Sequence, residues 1–472
     1  MGDGAPGREE TRPPPEGVRR PLGSGPALAC AALRQRLADQ GVHTLLVQFT
    51  DVHGVAKGKW VPLEHLQDVI ETGAGFAGPS IWGTGLGRTG ARSEYFARGD
   101  AATAQALPWM PGYACIVGDG FVDGAPFDAC PRQVLKRAVA RLAERGWTLQ
   151  TGIEPEFFLL RRAADGHWLP ADDADQLAKP SYDLKSLPRQ APFLRALHEA
   201  LAGCGLDVLQ LDHEDAHGQF EVNFRHADAL RSADNVMLFK QAAHAIAEAH
   251  GAVFSMMPKP FANQPGSGLH FHVSLWQGER CLFEDKRADK RDELSTLGRQ
   301  FMAGVLHHAA PLCALAAPTV NSYKRLVVGE SLSGTSWAPA YVAHGPNNRT
   351  AMIRTLPGRF EWRVPDASAN PYLATAALIA AGLDGIDRQL DPGPACSDDL
   401  FALPLAAIRE RGIALLPQSL DAAIDALAAS TLMQQTLGAT LHREFVRLKR
   451  DEALAYARHV SGWELERYAA AF

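Results

Sequence analysis

Two carboxylates one residue apart inside an apolar run, Glu154-Pro155-Glu156 between Gly152 and Leu160, constrain this chain more than any other feature. Strand side chains alternate faces, so both acids leave an extended segment on the same side. Pro155 cannot donate to a ladder, which favours a sheet edge or rim. Like charges this close raise a pKa unless a cation sits between them. Either the pair faces water at a strand end, or it holds a divalent metal.

Three later segments repeat the pattern. Asp212 to Val222 supplies Glu214 and Glu221 around a turn at Gly218. Gly266 to Ser274 places His270 and His272 on one strand face behind a glycine turn. Arg359 to Asp366 puts Glu361 and Arg363 on one face, and Phe360, Trp362 and Val364 on the other. A lone His-x-His is more often packing than ligation, and a lone Glu-x-Arg is a solvated ion pair of small worth. Four segments that each bring acid, imidazole or guanidinium to a strand end near glycine fit those readings poorly. Oxygen-rich donors with a single imidazole favour Mg²⁺ or Mn²⁺ over zinc.

The remaining sequence bounds the class. A chain of 472 residues buries a large core and suggests two or more domains. Its net charge of −6 leaves no basic field for nucleic acid or an anionic membrane. The 7 cysteines, an odd number without CxxC spacing, argue against a disulfide framework and for a reducing cytosol. No apolar run approaches membrane-spanning length. A cytoplasmic protein is therefore expected, with neither nucleic acid nor membrane as partner. Residues 1–26, rich in Gly, Pro, Arg and Glu, read as a disordered tail.

Periodicity predicts helices over 27–40, 132–145, 191–203, 233–250, 294–315 and 370–386, and through roughly the last fifty residues. Strands fit 42–49, 55–61, 114–118, 121–122, 149–160, 207–212, 219–225, 252–257, 268–276, 350–355 and 359–364, with a glycine-rich loop over 73–90. This irregular mixture argues α+β, with a small domain over 27–130 and a larger one over 131–472. No Walker A loop, GxGxxG or GxSxG elbow is present, so any nucleotide must be held another way.

The set EPEFF (154–158), HEDAHGQFE (213–221), MPKPF (257–261), GSGLHFH (266–272), NSYKRL (321–326), NNRT (347–350) and RFEWRVPD (359–366) resembles the glutamine synthetase family. GAGFAG (73–78) and TSWAPAY (335–341) look like its type III or methylamide-forming branch. The resemblance implies an N-terminal β-grasp domain and a catalytic domain with a curved antiparallel sheet and flanking helices. It implies a homo-oligomer of stacked rings, a dodecamer of two rings, with active sites shared between subunits. The reaction implied joins glutamate to ammonia or a small amine at the expense of ATP, through a γ-glutamyl phosphate, with two or more Mg²⁺ or Mn²⁺ ions per site.

Residue by residue, the resemblance implies that Glu156, Glu214 and Glu221 hold the metal beside glutamate and the amine. Glu154, His270 and Glu361 would hold the metal that bridges the nucleotide phosphates. His272 and Ser274 would lie beside ATP, and Arg349, Arg354 and Arg359 would meet its phosphates. Arg325 and Arg363 would bind substrate carboxylates, with Gly266 allowing close backbone approach. Asp51 would reach into the neighbouring subunit's amine pocket, to which Tyr182 is a further candidate. A carboxylate is a poor electrophile, so phosphorylation must precede amine attack. Charge neutralisation and in-line positioning carry that step.

Three positions depart from the family pattern. A loop acid expected before Ala-Pro is replaced by Ser336-Trp337, and Glu330 lies earlier. An apolar wall there suits an alkylated amine, though a methyl group yields only about 1 kcal/mol of discrimination; the other reading is that Trp337 only packs the loop. Phe401 occupies the place of a modifiable tyrosine, and Pro265 that of an asparagine. A non-catalytic assembly protein of this family would signal itself by lost metal ligands, yet all six expected ligands are present.

Overall fold

The computed structural model describes residues 26–285, 294–329 and 337–472. The tail expected over 1–26, apart from Pro26, lies outside them, as do Glu330 and Ser336. The first sheet is built from β1 (Thr44–Thr50), β2 (Ala56–Pro62), β3 (Ala74–Ala77), β4 (Glu94–Gly99) and β5 (Tyr113–Val122) in the order β2-β1-β5-β4-β3. Leu45, Val47 and Phe49 of β1 alternate into the core. Asp51 closes the β1–β2 hairpin by accepting the N–H groups of His53 and Val55 at 3.0 and 3.1 Å, an Asx-type turn.

Two expectations change here. The predicted loop over 73–90 supplies β3, and the predicted strands 114–118 and 121–122 are one strand. Gly118 and Gly120 are not turn residues. A Cβ on Gly118 would meet that of Ala97 at 2.8 Å, and one on Gly120 would meet the Tyr95 hydroxyl at 2.4 Å. Glycine there permits close packing of β4 within a continuous strand.

The second sheet holds β6 (Thr148–Arg162), β7 (Val208–His213), β8 (Gln219–Phe224), β9 (Leu269–Gln277), β10 (Ile353–Leu356) and β11 (Arg359–Trp362). Their order is β7-β8-β6-β9-β11-β10, with antiparallel pairing throughout this run. One face is apolar. Phe157 packs against Phe193, Phe220, Phe239 and Phe254 at ring-centroid distances of 6.1, 6.0, 5.7 and 5.2 Å, and helices Ala229–Ala249 and Pro371–Asp387 lie among the core elements. The fold is α+β.

Pro155 lies inside the sheet, not at its outer edge. Glu156 N–H donates to the Gly268 carbonyl at 3.1 Å, so alternation turns the Pro155 nitrogen the other way. On that side pairing lapses between Thr151, which faces Ala227, and Glu156, which faces Glu221. The missing donor falls in a gap. The predicted helix 294–315 is also two helices, Thr296–His307 and Ala309–Ala316. Pro311 has no N–H, and its ring conflicts with the carbonyl four residues earlier.

Arg132 ties the first sheet to helix Ala229–Ala249 through charge. Buried near the start of helix Pro131–Ala143, it donates to Asp234 at 2.9 and 2.8 Å, to Asp119 at 2.8 Å and to Asp100 at 3.0 Å. Among the described residues no helix is long and apolar enough to cross a membrane.

Candidate active site

Strand register assembles the polar face of the second sheet. Glu221 lies opposite Glu156, Glu154 opposite His270, His272 opposite Glu361, and Glu361 opposite Arg354. Five strands therefore carry one diagonal row of acids, imidazoles and a guanidinium, and all of these except His272 line a cleft of about 480 Å³. All six expected metal ligands line it, with Gly266, Arg325, Arg349, Arg354, Arg363 and Tyr182.

The acids cluster at one end. Burial and the neighbouring Glu156 and Asp212 push the Glu214 pKa up to about 9, and burial and Glu154 push Asp212 up to about 6. Glu221 is driven well above its ordinary value by burial and the adjoining Glu154 and Glu156. Burial also raises Glu156, against the pull of Arg325. At the other end, Arg363, His270, His272 and Arg354 overcome burial and hold Glu361 down at about 2. Burial and Arg363 keep His270 well below the usual imidazole range.

The ligand grouping differs in detail from the expected one. Three-donor groups with atoms within 4.8 Å are Glu154–Glu221–His270, Glu154–His272–Glu361 and Asp212–Glu214–Glu221. Glu156 instead accepts the Gly268 N–H at 2.8 Å and the Gln219 amide at 2.9 Å. His272 Nε2 lies 2.9 Å from Glu154, while its Nδ1 accepts from Arg359 Nε at 3.3 Å. This pattern points Nε2 at Glu154 and leaves Nδ1 as the acceptor for Arg359. Asp212 Oδ1 is buried without a hydrogen-bond partner among the described residues. Orphaned oxygen, raised carboxylate pKa values and a carboxylate-rich donor set fit hard divalent cations.

The arginines and the glycine turn are held from behind. Arg325 donates to the Val364 carbonyl at 3.0 Å, Arg354 to Asn347 at 2.8 Å, and Arg363 to the Trp337 carbonyl at 3.1 Å. A Cβ on Gly266 would meet the Pro258 carbonyl oxygen at 2.3 Å. Tyr182 is 71% exposed at the rim, with φ +63°.

His272, Ser274 and Arg359 do not line the cleft. Ser274 lies farther along β9, opposite Gln150, and accepts the Trp276 indole N–H at 2.8 Å. Asp51 also lies outside it, buried at the hairpin turn with Lys57 Nζ 3.8 Å away. Sequence reasoning assigned no role to Asp212, Asp215, Gln219 or Lys259, which line the same cleft. Asp212 was legible, since it lies two residues before Glu214. Lys259 sits in MPKPF, and burial and the nearby Arg325 lower its pKa to about 8.

Residues 128–468 match the family model described as glutamine synthetase, catalytic domain. The chain is 50% identical over 435 residues to the glutamate–methylamine ligase of Methyloversatilis universalis, covering 92% of this chain and 98% of that one. It is 38% identical to a glutamine synthetase of Rhizobium leguminosarum bv. phaseoli, over 90% of this chain and 96% of the relative. A solved structure described as a GmaS/ADP complex superposes with a TM-score of 0.86 at 38% identity, covering 93% of this chain and 99% of that chain. With the sheet, the cleft and these matches in agreement along nearly its whole length, the chain belongs to the glutamine synthetase family.

Proposed function

We propose that this protein is an ATP-dependent ligase that joins the γ-carboxyl group of glutamate to a small primary amine, and that the amine is methylamine. One observation carries the choice of amine. Where an acid is expected before Ala-Pro, Trp337 presents an indole to the cleft, with its N–H bonded to Asp215. The 50% identity to a glutamate–methylamine ligase supports the same choice.

In this reading the acidic end of the cleft, with His270, holds Mg²⁺ or Mn²⁺. Such ions neutralise phosphate charge and orient the transferred group when bound. Arg325 and Arg363 hold the glutamate carboxylates, since planar guanidinium forks match their oxygens. Arg349 and Arg354, on the β10 side, face the phosphates of ATP, and Arg359, His272 and Ser274 extend that wall beyond the cleft. Gly266 keeps the backbone close enough to touch glutamate. Glu214 and Tyr182 border the amine, whose ammonium form loses a proton before attack on the γ-glutamyl phosphate. Asp51 completes the amine site from a neighbouring subunit in a ring-shaped homo-oligomer. Walling off the acyl phosphate matters because water otherwise hydrolyses it.

The test is competition. Purified protein with glutamate, ATP, Mg²⁺ and equal concentrations of methylamine and ammonium is expected to release mainly γ-glutamylmethylamide, identified by mass. Predominant glutamine would assign the enzyme to ammonia and reduce Trp337 to packing.

A further inference from the structure

Asp215 occupies an unusual position for a residue that follows a candidate ligand. Its two carboxylate oxygens accept from the Ser181 hydroxyl and from the Trp337 indole N–H, contacts 34 and 122 residues apart in sequence. All three residues line the cleft beside Glu214 and Tyr182. The backbone below is fixed. His213 is fully buried, with one ring nitrogen 2.7 Å from Asp175 and the other 2.7 Å from the Glu214 carbonyl, and the Tyr182 N–H donates to the His213 carbonyl at 2.9 Å. Trp337 is thus held at two points, its carbonyl by Arg363 and its indole by Asp215. Without the second, a side chain that is 45% exposed is free to leave the cleft.

We infer that Asp215 is the specificity-determining positioning residue of the amine subsite. By holding the Trp337 indole N–H, it fixes the ring as the wall against which the methyl group of a methylammonium ion packs. The inference rests on the glutamate–amine ligase reading. An aromatic face beside a carboxylate suits an alkylated cation better than a bare ammonium ion, because it gains apolar contact and cation–π attraction together.

The experiment measures kcat/KM for methylamine and for ammonium in the wild type, Asp215→Ala, Asp215→Asn and Trp337→Ala. Asp215→Ala is expected to lower the methylamine-to-ammonium ratio about fivefold or more, the scale of one methyl group in an apolar pocket. KM for glutamate and ATP should stay within about twofold. Asp215→Asn retains an oxygen to accept the indole N–H, so its ratio should stay within about threefold of the wild type. Trp337→Ala should match Asp215→Ala, and the double variant should lose no more than either, because both act through one contact. A selective wild type with an equally selective Asp215→Ala overturns this inference alone, as does an Asp215→Asn ratio as low as that of Asp215→Ala. A wild type with no preference for methylamine overturns the choice of amine, and this inference with it.

Discussion

Among the described residues, replacing Arg132 by Met removes the one cation paired with Asp100, Asp119 and Asp234 together. The three carboxylates lose unequally. Asp119 keeps Lys136, and Asp100, with its side chain 27% exposed, recovers water. Asp234 is buried and, among the described residues, retains only the Tyr372 hydroxyl at 2.8 Å. Breaking a buried pair by deleting one partner costs about 3–5 kcal/mol, and Asp234 bears nearly all of it. At roughly 2 cal/mol/K of unfolding entropy per residue, a chain of 472 residues loses about one degree of Tm per kcal/mol. Arg132→Met should therefore melt about 3–5 °C lower in a thermal scan. Adding Asp234→Asn removes the stranded charge, keeps an acceptor for Tyr372, and should restore at least about half of the loss. A single variant within about 1 °C of the wild type would show that Asp234 does not depend on Arg132 for its charge compensation.

Three further outcomes follow from the cleft. Glu156→Ala, which deletes the acceptor of the Gly268 N–H, should lower amine-dependent phosphate release by at least about a hundredfold with the fold retained by circular dichroism; retained activity would remove Glu156 from the site. Gly266→Ala should raise the KM for glutamate, because its methyl group collides with the Pro258 carbonyl, and an unchanged KM would show that the turn does not touch glutamate. The third concerns pH. Glu214 and Asp212 have folded pKa values of about 9 and about 6, both raised, so they favour the folded state most below pH 4 and lose that contribution as pH rises to 9. Chelated protein should therefore lose Tm over that range, and added Mg²⁺ should raise Tm more at pH 8.5 than at pH 6; an increment that shrinks with pH would contradict the acid cluster as the cation site.

What the sequence revealed depended on range. Residues two apart on a strand share a face by geometry alone, so Glu154 with Glu156, His270 with His272, and Glu361 with Arg363 were legible before any fold was known. Their register across β8, β6, β9 and β11 was not, because no local pattern states which strands pair. For that reason the ligand groups were divided differently, with His272 beside Glu154 and Asp212 beside Glu214. β4 went unseen, and the glycines that hide β3 and join the halves of β5 looked like turn signals when they allow close packing. Asp215 and Trp337 meet only through tertiary structure, and their motifs gave no reason to connect them.

Coupling of ATP cleavage to amide formation on glutamate in this cleft is measured as phosphate release by purified protein with glutamate, ATP and Mg²⁺, with and without methylamine. Release should require both glutamate and the amine and be matched mole for mole by γ-glutamylmethylamide. Release that ignores the amine, or none with any amine, would show that this cleft does not couple the two.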